Sequence, residues 1–196
     1  LTPIDIPTSL DQRFQPVPGD VAANNLDGLI VASPANPTGT MLDLDALKAL
    51  SDACQRQGAA FISDEIYHGI DYDKAPVTAL QVTDDVYVVN SFSKYFSMTG
   101  WRVGWMIVPQ DHVRRIERLA QNMFICAPHA AQKLAFYAMD CKPELDRNRA
   151  VYATNRDLMI AGLQDAGLGK FAPPDGAFYI YVDVSDYTDD ALGFAA

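Results

Sequence analysis

Short apolar runs alternate with polar, turn-rich segments through the first half of the chain. Four runs are continuous, as in strands that a parallel sheet buries on both faces. They are residues 28–32, 59–62, 86–89 and 103–108. Residues 1–8 read as a short strand or extended edge piece, since Pro3 and Pro7 disfavour a central strand, and residues 9–25 read as a loop.

Apolar residues at helical spacing lie between the first two runs and through most of the second half of the chain. Apolar residues recur every three or four positions from Leu44 to Cys54, with Asp43 as a predicted N-cap and Gly58 as the predicted end. The same spacing occurs in 113–123 and 130–138 and from 142 to about 166. We expect these stripes to be ordinary core packing.

The pattern changes again near the end of the chain. Apolar and polar residues alternate over 178–184, which predicts a half-buried strand. We therefore expect two units. Residues 1–141 form an α/β domain with a mostly parallel sheet, and residues 142–196 form a linker helix and part of a smaller α+β domain.

Charge and cysteine content narrow the classes of partner. The net charge is −10 and the basic residues form no long cluster, so we set nucleic acid aside as a partner. The three cysteines show no Cys-x-x-Cys pairing, which argues against a disulfide framework or a metal site. We expect them to be reduced core residues of a cytoplasmic protein. No apolar run has the length of a membrane span, and we expect no membrane contact.

Polar clusters follow the first three predicted strands. The carboxyl ends of parallel strands share one edge of a sheet, where ligands collect. We therefore expect the functional groups of these clusters to converge. They are the amide of Asn36, the carboxylate of Asp64, the phenol of Tyr67, the hydroxyls of Ser91 and Ser93, the amine of Lys94 and the guanidinium of Arg102.

This set of groups matches the needs of pyridoxal phosphate. An amine can form a Schiff base with the cofactor aldehyde, and a carboxylate can keep the pyridine nitrogen protonated. An amide and a phenol can bind the ring oxygen, and a guanidinium with a hydroxyl can hold the phosphate. Ser91 and Lys94 also fit the Ser-x-x-Lys signature of serine acyl-enzymes. That signature expects Ser-Asp-Asn and Lys-Thr-Gly downstream, and the sequence contains neither.

Four motifs in order resemble one family, the fold-type I, class I/II aminotransferases of the aspartate aminotransferase superfamily. They are Asn36-Pro37-Thr38-Gly39, Asp64-Glu65-Ile66-Tyr67, Ser91-Phe92-Ser93-Lys94 and Arg102. Pro174-Asp175-Gly176-Ala177 also resembles the start of the family's small domain. The resemblance implies a three-layer α/β/α sheet domain and a cis Asn36-Pro37 peptide bond.

The resemblance also implies roles for single residues. Lys94 becomes the Schiff-base lysine and proton shuttle, and Asp64 the partner of the pyridinium nitrogen. The implied ring-oxygen partners are Tyr67 and Asn36, and the implied phosphate ligands are Ser91 and Arg102. Glu65, His68, Ser93 and Trp101 lie within the motifs and are expected only to pack behind these groups.

The implied reaction transfers an amino group from an amino acid to a 2-oxo acid, in a protein that is a homodimer when intact. A carbon–sulfur β-lyase and the non-catalytic sensor domain of a transcription regulator remain alternatives, because the motifs specify the cofactor and not the reaction. The resemblance covers about the central half of a typical member, so we expect a fragment that lacks both ends and has impaired activity.

Overall fold

A four-stranded sheet lies at the centre of the computed structural model, which describes residues 2–195. The strands are β1 (Gly28–Ala32), β2 (Ala60–Asp64), β3 (Tyr87–Ser91) and β4 (Gly104–Ile107). They lie in the order β1-β2-β3-β4. The first three are parallel and β4 is antiparallel to β3. The predicted α/β class with a mostly parallel sheet is confirmed.

The register of the parallel strands aligns their carboxyl ends. Ala32 of β1 pairs with Asp64 of β2, and Asp64 pairs with Val89 of β3. The three polar loops that follow these strands therefore leave the sheet at the same edge, as predicted. This alignment brings residues about sixty positions apart in sequence to one place.

One face of the sheet packs on helix α2 (Leu44–Gln57). Leu47 and Leu50 of this helix are fully buried, and burying a leucine side chain contributes about 1.5–3 kcal/mol. The helix begins where predicted, with the Asp43 carboxylate accepting from the Ala46 amide at 2.8 Å, and ends at Gly58 with φ 69°. On the other face, Ile30 is 70 % exposed.

The predicted helices of the second half are present. They are α3 (Val113–Met123), α4 (His129–Ala138) and α5 (Lys142–Asp165), and a short α6 follows at Ala191–Ala195. The expectation that their apolar stripes are core packing is wrong for much of their length. Leu119 is 57 % and Met123 78 % exposed. The amino end of α3 lies against β4, but within residues 2–195 no element covers the rest of its stripe.

Two further predictions about local structure are wrong. Residues 9–25 contain a helix, α1 (Pro18–Ala23), in which Asp20 accepts from the Val17 amide at 2.9 Å and Val21 is fully buried. Residues 178–184 do not form a strand, because an extended segment needs a pairing partner along its length. Val182 pairs with Phe171 in an isolated bridge, and the described residues supply no longer ladder.

The predictions for the first residues, the cysteines and the boundary between two units have different outcomes. Residues 2–8 form no strand, so the strand alternative for this segment is wrong, while Leu1 lies outside the described residues. Cys54 is buried, but Cys126 and Cys141 are exposed, so these two are not core residues. The boundary between two units near residue 142 stays a prediction. Within residues 2–195, every helix is too short or too polar to cross a membrane.

Candidate active site

The loop that carries Lys94 connects β3 to β4 and is tied down by its own hydrogen bonds. The Thr99 hydroxyl donates to the Ser93 carbonyl at 2.6 Å, and the Met98 amide donates to the Phe92 carbonyl at 3.0 Å. The Phe92 ring packs edge-on against Trp105 of β4, with ring centroids 5.1 Å apart. Lys94 is therefore held in place at the carboxyl end of β3.

The Lys94 side chain reaches two aromatic rings from other parts of the chain. Its Nζ lies 5.3 Å from the centroid of the Tyr67 ring and 5.6 Å from that of the Phe178 ring. Aromatic faces attract an ammonium group and exclude water from it. Lys94 is thus not an ordinary surface lysine. It points into a partly enclosed aromatic site.

Tyr67 is the most buried of the predicted site residues, with 2 % of its surface exposed. Its hydroxyl lies 2.6 Å from that of Tyr179. Burial raises the pKa of the Tyr67 phenol, the nearby charge of Asp64 also raises it, and hydrogen bonding from Tyr179 and Asn36 lowers it. The structure therefore brings Lys94, Tyr67, Asp64 and Asn36 together.

Asp64 ends β2 in the middle of the parallel strands and is half-buried. Its Oδ1 accepts from the Ile66 amide at 3.1 Å, which orients the carboxylate within its own loop. Asn36 is exposed in the loop after β1, and the Asn36-Pro37 peptide bond is cis, which confirms that prediction.

Ser91 and Arg102 flank the lysine loop at its two ends. The Ser91 hydroxyl accepts from the Ser93 amide at 3.0 Å and lies 3.3 Å from the Val103 carbonyl. Arg102 is exposed, has φ 51°, and donates from Nη1 to the Thr99 carbonyl at 2.9 Å. The Ser91 hydroxyl thus lies beside the residue that follows Arg102, and the side-chain hydrogen bonds of both residues go to the loop from Ser91 to Val103. Their predicted phosphate contacts stay predictions.

Glu65 and His68 brace the loop that follows β2. Glu65 is 3 % exposed, and its Oε1 accepts from the Ala79 amide at 2.8 Å and from the hydroxyls of Ser63 and Thr78 at 3.1 Å. His68 lies 3.1 Å from the Ser33 carbonyl through Nε2. Burial lowers the pKa of His68, and the Glu65 charge opposes this. Both residues lie behind the site, as expected.

A loop from the end of the chain docks on the Asn36 loop. The amides of Asp175 and Gly176 both donate to the Gly39 carbonyl at 2.9 Å. The Asp175 carboxylate accepts from the Met41 amide at 2.9 Å and from Arg13 at 2.7 Å. Gly39 has φ 69°, and a Cβ there would lie 2.5 Å from Pro174. Close backbone contact therefore joins the two motifs.

Phe178 and Tyr179 follow this docked loop and complete the site. The alternation over 178–184 predicts a strand here and indicates no chemical role for either residue. Their rings lie 4.9 Å apart, and each contacts the Tyr67 ring edge-on. A signal was present, because both residues directly follow the Pro174-Asp175-Gly176-Ala177 motif. The alternation of apolar and polar residues in this segment indicated a strand instead.

The assembled groups suit the aldehyde, ring nitrogen and ring oxygen of pyridoxal phosphate. An amine lies against aromatic rings, a carboxylate lies at the sheet edge, and a phenol and an amide lie near each other. The residues present therefore fit the group.

Comparison with known proteins gives the same family. The sequence profile of the aminotransferases of class I and II matches residues 17–193. The valine–pyruvate aminotransferase of Mycobacterium tuberculosis is 45 % identical over 199 aligned positions, which cover 98 % of this chain and 51 % of that protein.

Two solved structures are similar in fold. A protein from Silicibacter pomeroyi, assigned as an aminotransferase, is 64 % identical with a TM-score of 0.96, and the match covers 98 % of this chain and 52 % of that one. A double mutant of the Thermus thermophilus aspartate aminotransferase is 28 % identical with a TM-score of 0.86, over 93 % and 50 % of the two chains. The chain spans about half the length of these relatives. It belongs to the class I and II aminotransferase family, whose members have the fold-type I architecture.

Proposed function

We propose that this chain is part of a pyridoxal-phosphate-dependent aminotransferase that transfers an amino group from an amino acid to a 2-oxo acid. The observation that carries the proposal is the position of the Lys94 amine, 5.3 Å and 5.6 Å from the centroids of the Tyr67 and Phe178 rings. Asp64 ends the central parallel strand, and its charge acts on the same Tyr67 phenol. Family membership supports the same reaction.

When bound, the cofactor would supply an electron sink for the bond that is broken at the substrate α-carbon. Lys94 would hold it through its amine and would move a proton through Nζ. The carboxylate of Asp64 would favour a proton on the ring nitrogen. Tyr67 and Asn36 would donate hydrogen bonds to the ring oxygen, and Ser91 and Arg102 would bind the phosphate.

The substrates belong to the same proposal. A relative that is 45 % identical is named a valine–pyruvate aminotransferase, so valine and pyruvate are the first pair to test. The aromatic walls of the site are compatible with an apolar side chain. We also propose that the intact protein is a homodimer, since the family assembles its site between two subunits.

The test measures 2-oxo acid production by the chain after incubation with pyridoxal phosphate, valine and pyruvate. We expect slow formation of the oxo acid of valine together with alanine. A matched Asp64→Ala variant should bind the cofactor and give much less product. Release of pyruvate from cysteine conjugates without amino transfer would favour a β-lyase. Cofactor binding without turnover of any amino acid tested would favour a sensor domain and contradict the proposal.

A further inference from the structure

The hydroxyl of Tyr179 lies 2.6 Å from that of Tyr67, although 112 positions separate the two residues in sequence. Tyr67 is almost fully buried, and Tyr179 is half-buried in the segment after the docked loop. The proposed reaction uses Tyr67 and assigns nothing to Tyr179. The contact therefore makes Tyr179 a candidate for a role in the site in addition to the residues of the proposed reaction.

A phenol carries a single donor hydrogen and can accept further hydrogen bonds. If Tyr67 donated its hydrogen to Tyr179, it would have none left for another acceptor in the site. If Tyr179 donates instead, the Tyr67 hydrogen remains available. The direction of this one hydrogen bond therefore decides whether Tyr67 can act as a donor.

The effect of the contact on the two phenols favours Tyr179 as the donor. Burial raises the pKa of both phenols, but their mutual hydrogen bond lowers the pKa of Tyr67 and raises that of Tyr179. A hydrogen bond donated to an ionised oxygen lowers the pKa of its group, so these opposite directions are those of a bond from the Tyr179 hydroxyl to the Tyr67 oxygen. Asn36, the remaining partner of the Tyr67 hydroxyl, carries no charge.

The fold fixes the backbone just before Tyr179. Ala177, two residues earlier, is fully buried, and its amide donates to the Ile70 carbonyl at 2.8 Å. The Tyr72 hydroxyl donates to the Ala177 carbonyl. A side chain that follows such a fixed backbone and packs against neighbouring rings is preorganised for its contact.

We propose that Tyr179 is a positioning residue of the candidate site, whose hydroxyl donates to Tyr67 and thereby directs the Tyr67 hydrogen towards the ring oxygen of the bound cofactor. The final part of this statement rests on the proposed function. A chain of two such bonds also strengthens the second, by roughly 10–30 %. Tyr179 thus acts through Tyr67 and touches neither substrate nor cofactor in this role.

The first test uses the chain without cofactor. Tyrosines labelled with ¹³C at the ring carbon that bears the hydroxyl are observed by NMR, and the Tyr67 resonance is assigned by its loss in Tyr67→Phe. We expect that resonance to move in Tyr179→Phe, which keeps the ring and removes the donor. It should stay in place in Tyr181→Phe, a matched control whose ring contacts Phe14. An unmoved Tyr67 resonance in Tyr179→Phe overturns the proposal.

The second test adds pyridoxal phosphate and follows the absorption of the bound cofactor against pH. Tyr179→Phe should shift the titration midpoint in the same direction as Tyr67→Phe, by about a tenth to a third as much. Tyr181→Phe should titrate as the unchanged chain does. A Tyr179→Phe midpoint equal to that of the unchanged chain contradicts the role of Tyr179. If neither the unchanged chain nor any variant binds pyridoxal phosphate, the proposed function is contradicted. The first test uses no cofactor, so it still decides whether Tyr179 is hydrogen-bonded to Tyr67.

Discussion

Replacing Gly176 by alanine should separate the two loops that form the site. An added Cβ would lie 2.6 Å from the Ile70 carbonyl oxygen and 2.7 Å from Cγ of Pro34. Both distances are well below ordinary van der Waals contact, and both neighbours belong to tightly packed backbone or ring. The docked loop must therefore move away from the loops after β1 and β2.

The size of the effect follows from what that movement disturbs. Overpacking by one methyl group in a tight site costs about 1–3 kcal/mol. The shift also strains the hydrogen bonds from Gly176 to Gly39 and from Ala177 to Ile70, at 2.9 Å and 2.8 Å, each worth about 1 kcal/mol. We expect Gly176→Ala to lower the free energy of unfolding by about 2–5 kcal/mol.

The assay is urea denaturation followed by circular dichroism, with Gly169→Ala as the matched control. A Cβ at Gly169 meets no atom within 4 Å, so that substitution should leave stability unchanged or raise it by up to about 1 kcal/mol. If Gly176→Ala also changes stability by less than about 0.5 kcal/mol, close packing does not hold the loops together, and the placement of Tyr179 loses its explanation.

Three further substitutions test other parts of the structure. Glu65→Ala removes the acceptor of the buried Ala79 amide and should cost about 2–5 kcal/mol in urea denaturation; a loss below 1 kcal/mol would show that the carboxylate is not a structural brace. Asp43→Ala removes the N-cap of α2 and should cost about 0.5–2 kcal/mol, whereas an unchanged midpoint would mean that the hydrogen bond to Ala46 contributes nothing. Asp64→Ala should reduce transamination by about 100-fold or more while cofactor affinity falls much less; equal losses in both would mean that its role is structural.

Features that depend on local chemistry could be predicted from the sequence. The first strand, the Asp43 cap and the helix end at Gly58 each follow from side chains within a few positions of the feature. The convergence of the three polar loops followed from one general property, the shared edge at the carboxyl ends of parallel strands.

Features set by distant contacts were not predictable in this way. The direction of β4 depends on how the Lys94 loop turns back, and apolar spacing does not encode it. Helix α1 has a single buried residue, Val21, which gives no period to detect. Phe178 and Tyr179 alternate like a strand but contact Tyr67 across more than one hundred positions, and this contact appears only in three dimensions.

The apolar stripe on α3 was also predicted only in part. The spacing of its apolar residues correctly predicted a helix. That spacing shows only that one face of the helix is apolar, whereas burial of the face requires a neighbouring element. Within the described residues that neighbour covers only the amino end of the helix. The apolar pattern therefore predicted the element and failed to predict its burial.

Identifying the lysine that binds the cofactor tests the central claim most directly. The chain is incubated with pyridoxal phosphate, reduced with borohydride, digested and analysed by mass spectrometry, with Lys94→Arg treated in parallel. We predict that the pyridoxyl mass lies on the peptide that contains Lys94 and is absent from that peptide in the variant. A label on another lysine, with the Lys94 peptide unmodified, would contradict the account.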